Sequence, residues 1–352
     1  MQTITGVNVN EVYPIGLVFL RENGVLQKSQ HGLTIEIPGP VSVCYLNPRE
    51  RCQFDPVRDS NPFLNLFEAL WILQGREDVK FLADIVGRMA TYADDGETFY
   101  GAYGARLRGT SSFLDVSTQE RVSAKIDQIE YAIDRLKANP ADRQVVLTIR
   151  QPSDMAYKGK DQPCNLMASL KVRNGKLNIH VFNRSNDFIW GMTGTNVVQF
   201  SMLQEYIAGK LGVEMGTYHQ TTDSMHVYVN KQYDHIRQNT TGLPRYDYYS
   251  QDITQPYHMF AGVADLGDFD HDLNLFFQQY DKNTGMGISR LNYRTGYFAD
   301  LVFPAWYCFQ AYKNFRDTKR EASLAEARRI AQDIPADWCV AIREWLDRRG
   351  AK

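Results

Sequence analysis

The stretch QPCNLMASLKVRNGKLNIHVFNRSND, residues 162–187, puts a nucleophile and a cation within reach of each other. Residues 166–172 and 177–182 read as strands, and the Asn174-Gly175 pair between them favours a two-residue hairpin turn. An unbroken register opposes Arg173 to Lys176 and, further out, Cys164 to Ser185, with Arg184 alongside. A guanidinium beside a thiol favours the thiolate, the form of cysteine that attacks carbon. Otherwise a free cysteine is most often a small buried residue. Three more side chains could join it. Glu68 sits at the edge of a helical stripe, where exposure is the ordinary fate of a glutamate. Asn196 heads a helix, where capping is the ordinary role. His226 lies in the short β-type run MHVYV, residues 225–229.

These residues need elements to hold them. Residues 14–47 read as short strands, IGLVFL, LTIEI and VSVCYL, broken by Gly and Pro. SNPFLNLFEALWILQG reads as a helix capped by Ser60 or Asn61, with Pro62 in the first turn and Gly75 at the end. Its apolar residues 63, 66, 67, 70 and 73 form one stripe. Residues 118–138 read as an amphipathic helix and QVVLTI as a buried strand. Residues 196–211 read as a helix with Asn196 at the cap, Gln199 as capping-box partner and Gly212 as its stop. Residues 231–295 are polar and tyrosine-rich with weak period, and two helices follow from Ser323 and Pro335.

Composition narrows the class. The 352 residues, 43% hydrophobic and 23% charged, are enough for a substantial core. A formal charge of −2 argues against a broad nucleic-acid or membrane surface. Five cysteines without a CxxC pair give neither a zinc site nor a disulfide framework, and fit a reducing compartment. The N-terminus lacks the layout of a signal peptide, and no apolar run has the length of a membrane span. The expectation is a cytoplasmic protein.

Taken together, QPCN (162–165), NRSND (183–187), Gly191, Asn196 and DSMHVYVN (223–230) resemble the thymidylate synthase superfamily, which includes thymidylate synthases and pyrimidine-nucleotide hydroxymethylases. FEALWILQG (67–75) and YGARLR (103–108) match upstream motifs of that family in the same order, so the likeness spans residues 20–230. It implies an α+β fold, a mixed sheet packed with helices, with residues 1–230 as catalytic core and 231–352 as a partly helical C-terminal extension packed on it. It also implies metal-free transfer of a one-carbon unit from 5,10-methylenetetrahydrofolate to C5 of a pyrimidine deoxynucleoside monophosphate. Cys164 would add to C6 and so make C5 nucleophilic. Glu68 would move protons through water around C4 and C5. Asn196 would read O4 and N3 of the base, its amide carrying both a donor and an acceptor. Tyr103 would line the active site. Arg184 and Ser185 would bind the 5′-phosphate, joined by Arg143 of the partner subunit in a homodimer. His226 and Tyr228 would hold the sugar 3′-hydroxyl, and Asp187 and Gly191 would lie on the folate side.

Departures from the family pattern bear on the product. Arg143-Gln144 stands where members usually carry two arginines, and Lys28 stands where the N-terminal phosphate loop usually has one. The gap from Gly191 to Asn196 is one residue longer than in typical thymidylate synthases. Met89 and Tyr92 occupy the region of tryptophans near the folate, and about 120 residues follow Tyr228 in place of a short closing tail. Methylation needs hydride transfer in a closed, dry site, whereas hydroxymethylation needs water. The reading therefore leans to hydroxymethylation, with thymidylate synthesis as the alternative. Asparagine at 196 favours dUMP, with dCMP possible after rotation of the amide. A thiol hydrolase or amidotransferase using Cys164 and His226 is the rival from another class, and a non-enzymatic nucleotide binder has no need of Cys164 and Glu68 together.

Overall fold

The chain begins with a strand, β1 (Gln2–Gly6), and turns at once into a helix, α1 (Val9–Asn23), in the computed structural model, which describes residues 2–115, 120–238, 241–282 and 290–350. The Asn8 side-chain oxygen Oδ1 starts the helix by accepting from the amides of Asn10 (2.8 Å) and Glu11 (3.1 Å). Val9, Val12, Tyr13, Leu17 and Leu20 then bury at helical spacing. The strand expected at IGLVFL is therefore wrong. That short apolar run has no period of its own, and the cap and stripe that begin upstream decide its conformation. LTIEI and VSVCYL do form strands, within β3 (Gly32–Glu36), which pairs with β2 (Val25–Ser29), and β4 (Val41–Tyr45).

The next helix, α2 (Pro62–Leu73), starts where its sequence signals say. Asn61 accepts from the amides of Phe63 (3.0 Å) and Leu64 (3.2 Å), and Gly75 follows the helix at φ +79°. Beyond α3 (Val79–Ile85) and α4 (Tyr103–Arg108), the helix expected over 118–138 forms only as α5 (Gln128–Ala138). Its N-cap is Asp127, and residues 120–125 instead form a hairpin strand, β6 (Glu120–Lys125), against β5 (Thr110–Asp115). Residues 118 and 119 lie outside the described residues.

Next come β7 (Val146–Thr148), β8 (Asn165–Arg173), β9 (Lys176–Asn183), β10 (Asn186–Asp187), α6 (Asn196–Leu211), β11 (Glu214–Thr222) and β12 (Met225–Tyr228). Six strands make one mixed sheet in the order β1-β4-β11-β9-β8-β7, and four make a second in the order β10-β12-β3-β2. The fold is α+β, as expected. Helix α6 touches β9 and β11 as well as α2 and is buried almost all round, polar Gln199, Gln204 and Glu205 included.

The segment beyond β12 holds α7 (Val229–Gln238), α8 (Gly267–Asp281), α9 (Phe303–Thr318), α10 (Glu321–Ala331) and α11 (Ala336–Gly350). Two of these, α10 and α11, match the helices expected from Ser323 and Pro335. This segment packs onto α2: Phe63 meets Phe309 and Trp345, and Phe67 meets Phe276 and Trp306, with ring centroids 5.3–5.9 Å apart. Buried Glu205 of α6 binds Arg49 (2.9 Å) and Arg51 (2.5 Å) and accepts from the Met259 amide (3.0 Å), joining three distant stretches of chain. Among the described residues no helix is long and apolar enough to cross a membrane.

Candidate active site

The hairpin turns as its sequence asks, with Asn174 and Gly175 both at positive φ (52° and 72°). The expected register holds from Arg173–Lys176 to Met167–Phe182, and then a bulge intervenes and Asn165 pairs with Asn183. One extra residue in β8 shifts everything beyond it. Cys164 consequently lies opposite Arg184, not Ser185. The Arg184 amide donates to the Cys164 carbonyl (3.0 Å), and its Nη2 reaches the Cys164 sulfur at 3.5 Å. Two backbone carbonyls hold that guanidinium, Nε donating to Pro163 (3.1 Å) and Nη2 to Gln162 (3.1 Å). Burial nevertheless pushes the thiol above its ordinary value, while Arg184 and, more weakly, Arg150 pull it down and Asp161 adds to the rise. The thiolate expected from the Arg184 neighbour is thus opposed by desolvation.

Glu68 does not take the exposed position usual for a helix glutamate. With the C-terminal helices covering the outer face of α2, its carboxyl faces inward toward Gln199 of α6. Its Oε2 is sealed from water without a hydrogen-bond partner. Burial pushes this carboxyl up to about 7, against a smaller opposing pull from Gln199. Tyr103, at the start of α4, has its phenol pushed up by burial first and then by the neighbouring Cys164, with Glu68 contributing as well. Cys164, Glu68 and Tyr103 therefore share one electrostatic environment.

Asn196 is not a helix cap. Residues Phe188–Thr195 form a π-helical segment kinked at Gly194 (φ −120°, ψ −116°) ahead of α6, and the Asn196 amide donates back to the Gly191 carbonyl, five residues earlier. The Asn196 side chain is 8% exposed and donates from Nδ2 to Asn186 Oδ1 at 3.3 Å. Gly191 packs against this pair: a Cβ there would fall on the Asn186 oxygen and 3.2 Å from Asn196 Nδ2. Asp187 is the cap of the π-helix, its Oδ1 accepting from Ile189 and Trp190 (2.9 Å each), while Gln232 donates to both carboxylate oxygens (3.1 and 2.8 Å).

His226 pairs in register with Asp187 across β10 and β12 and stands edge-on to Tyr228 at 5.2 Å. Its Nδ1 lies against Ser224 Oγ (3.4 Å) and the Ser224 carbonyl (3.3 Å), and among the described residues no hydrogen bond joins it to Cys164. The thiol–imidazole pair of a hydrolase is not formed. Asp187 and Cys164 both help raise the Tyr228 phenol after burial, so Tyr228 lies within electrostatic reach of both, and half-buried Ser185 follows Arg184 in the chain. Arg143 is elsewhere: it is exposed just ahead of β7, the edge strand of the main sheet, and its guanidinium has no partner among the described residues. Lys28 is exposed on β2.

Sequence reasoning assigns no role to three residues near the site. Asn186 and Gln220 are buried amides described below. Trp190 is 46% exposed at the start of the π-helix, with the guanidiniums of Arg58 and Arg88 over its ring at 5.0 and 5.3 Å. A lone tryptophan in an apolar run reads as core, and only the fold puts it on the surface.

A thymidylate synthase family model matches residues 63–260. The chain belongs to the thymidylate synthase family and is an enzyme of that superfamily, as the motifs implied. Over its full length it is similar to the deoxyuridylate hydroxymethyltransferase of Pseudomonas phage M6, 36% identical over 360 aligned positions covering 100% of this chain and 95% of that protein. It is also similar to proteins of the same name from Bacillus phage SP01 (41% over 234 positions, 65% of this chain and 60% of that protein) and Delftia phage PhiW-14 (26% over 265 positions, 66% and 70%).

Proposed function

We propose that the protein hydroxymethylates dUMP at C5, taking the one-carbon unit from 5,10-methylenetetrahydrofolate. The observation that carries the reading is the shared environment of Cys164, held against Arg184, with Tyr103 and the buried Glu68 carboxyl. The names of the relatives support the hydroxymethyl product over the methyl one, and the fit of this chain to dUMP rests on Asn196.

In this reading Cys164 adds to C6 of the pyrimidine, and the electron pair moves to C5 and O4. C5 then bonds to the one-carbon unit and loses its proton as tetrahydrofolate leaves; water adds to the exocyclic methylene so formed, the C6–S bond breaks and Cys164 is expelled. Glu68, half-protonated near neutral pH, donates and recovers the protons at O4 and C5 through water. Asn196 donates to O4 and accepts from N3–H. Arg184 and Ser185 bind the phosphate, His226 and Tyr228 bind the sugar, and Tyr103 closes the wall beside the sulfur. Folate, when bound, supplies a carbon at the oxidation level of formaldehyde. In this reading Asp187 and Gly191 lie on the folate side. The overall exchange is redox-neutral: water and the methylene become the hydroxymethyl group, and tetrahydrofolate leaves without oxidation.

The test is incubation with dUMP and methylenetetrahydrofolate. The expected nucleotide is heavier by one hydroxymethyl group, with no rise in dihydrofolate absorbance. Thymidylate with stoichiometric dihydrofolate overturns the reading in favour of a divergent thymidylate synthase.

The same reading makes the enzyme a cytoplasmic symmetric homodimer, with residues 1–230 as its core and 231–352 as the extension that buries α2. An exposed, unpartnered Arg143 suits a phosphate held by another copy. Arg143→Ala and Cys164→Ser proteins should each be inactive alone. Mixed, they should recover about a quarter of wild-type turnover, since half the dimers are hybrids and each hybrid has one intact site. Recovery of none, or a monomer by light scattering, contradicts the shared site.

A further inference from the structure

Asn196 is the last member of a chain of buried amides whose polarity is set at the far end. The Met192 carbonyl, which can only accept, takes hydrogen bonds from Tyr45 Oη (2.7 Å) and Gln220 Nε2 (2.9 Å). With its NH₂ committed there, Gln220 turns Oε1 toward Asn186 and accepts from Nδ2 at 3.1 Å. Asn186 is left with Oδ1 facing Asn196, and that oxygen accepts from Asn196 Nδ2. Gln220 is 0% and Asn186 3% exposed, so bulk water cannot substitute for a lost partner.

We propose that Asn186 and Gln220 are positioning residues that lock the orientation of Asn196 and thereby make the site selective for uracil over cytosine. The inference rests on the reading above in which Asn196 faces the base. Locked this way, Asn196 keeps one N–H and its carbonyl oxygen for the ligand, the complement of uracil O4 and N3–H. Cytosine presents an amino group and a bare N3, and needs the amide reversed. Reversal sets Asn196 Oδ1 against Asn186 Oδ1, two acceptors face to face. Turning Asn186 and Gln220 as well only moves the conflict to the Met192 carbonyl. Gly191 is part of the device, because any side chain there displaces the Asn186 amide.

The experiment is calorimetric binding of dUMP and of dCMP to the wild type, Asn186→Ala and Gln220→Met, with a melting curve for each. The expected result is that the wild type prefers dUMP and that the ratio of the two dissociation constants falls by roughly tenfold or more in Asn186→Ala. It should fall in the same direction in Gln220→Met, which removes the anchor and serves if the first variant does not fold. A purely structural role would weaken both nucleotides alike and leave the ratio unchanged. An unchanged ratio in folded variants, or a wild type that binds both equally, overturns the proposal. Product formation is scored separately. A wild type that discriminates in binding yet makes no hydroxymethyl nucleotide overturns the proposed reaction, while the binding ratios still decide the relay.

Discussion

Cys164→Ser is expected to abolish turnover while leaving nucleotide binding in place. The change replaces one heavy atom, keeps Arg184 on its two backbone carbonyls, and removes the only partly exposed thiol that touches a guanidinium among the described residues. A serine hydroxyl is a far weaker acid than a thiol and a poorer leaving group, so both the addition to C6 and the final expulsion suffer. The loss should be on the order of 10⁴-fold or more in kcat, as for other enzymes deprived of their nucleophile. The mechanism-based analogue 5-fluoro-dUMP, given with folate, should form a covalent adduct with the wild type and none with the variant. An adduct mapped to Cys52 or Cys308 would sink the assignment, and both are poor candidates because burial pushes their thiols up strongly. The raised Cys164 thiol adds a pH signature. Alkylation of the empty enzyme should still be accelerating above the ordinary thiol value of about 8.5, and Arg184→Met should move the profile further to the alkaline side.

Glu68→Gln should be nearly inactive and more stable than the wild type above neutral pH. Loss of a positioned acid–base group costs roughly 10²- to 10⁴-fold in rate. Stability moves the other way. Folded, Glu68 holds its proton up to about 7; unfolded, it releases it near the ordinary 4.5. Between those values the native state binds more protons than the unfolded chain, so stability falls as pH rises through that window. Glutamine has no proton to lose, and its advantage should grow across the window to roughly 3 kcal/mol at pH 8, shrinking toward nothing near pH 4.5. Melting curves at the two ends measure it. The wild-type kcat profile should bend near pH 7, and that bend should vanish in the variant. Equal melting temperatures at pH 8 would show that burial does not raise the Glu68 carboxyl.

The sequence by itself determined whatever depends on neighbours along the chain. The Asn174-Gly175 turn, the Asn61–Pro62 start of α2, Gly212 after α6 and the helices from Ser323 and Pro335 are written in caps, turns and period, and the motif order named the family. α8 was legible too, since Phe269, Leu273, Phe276 and Phe277 bury at helical spacing, but its polar surroundings hid the stripe. Tertiary structure decided the rest. The bulge near Leu166 moved Cys164 from Ser185 to Arg184, because bulges answer to the packing of the whole sheet. Asn196 was kept from capping α6 because a π-helical segment precedes it. Glu68 acquired its raised carboxyl because aromatics more than 200 residues away cover the outer face of its helix. Asn186 and Gln220, 34 residues apart, meet only where β10 crosses the end of β11. Local period reports which face of an element is apolar; which partner covers that face, and which buried amide finds which, is settled only by contacts between distant parts of the chain.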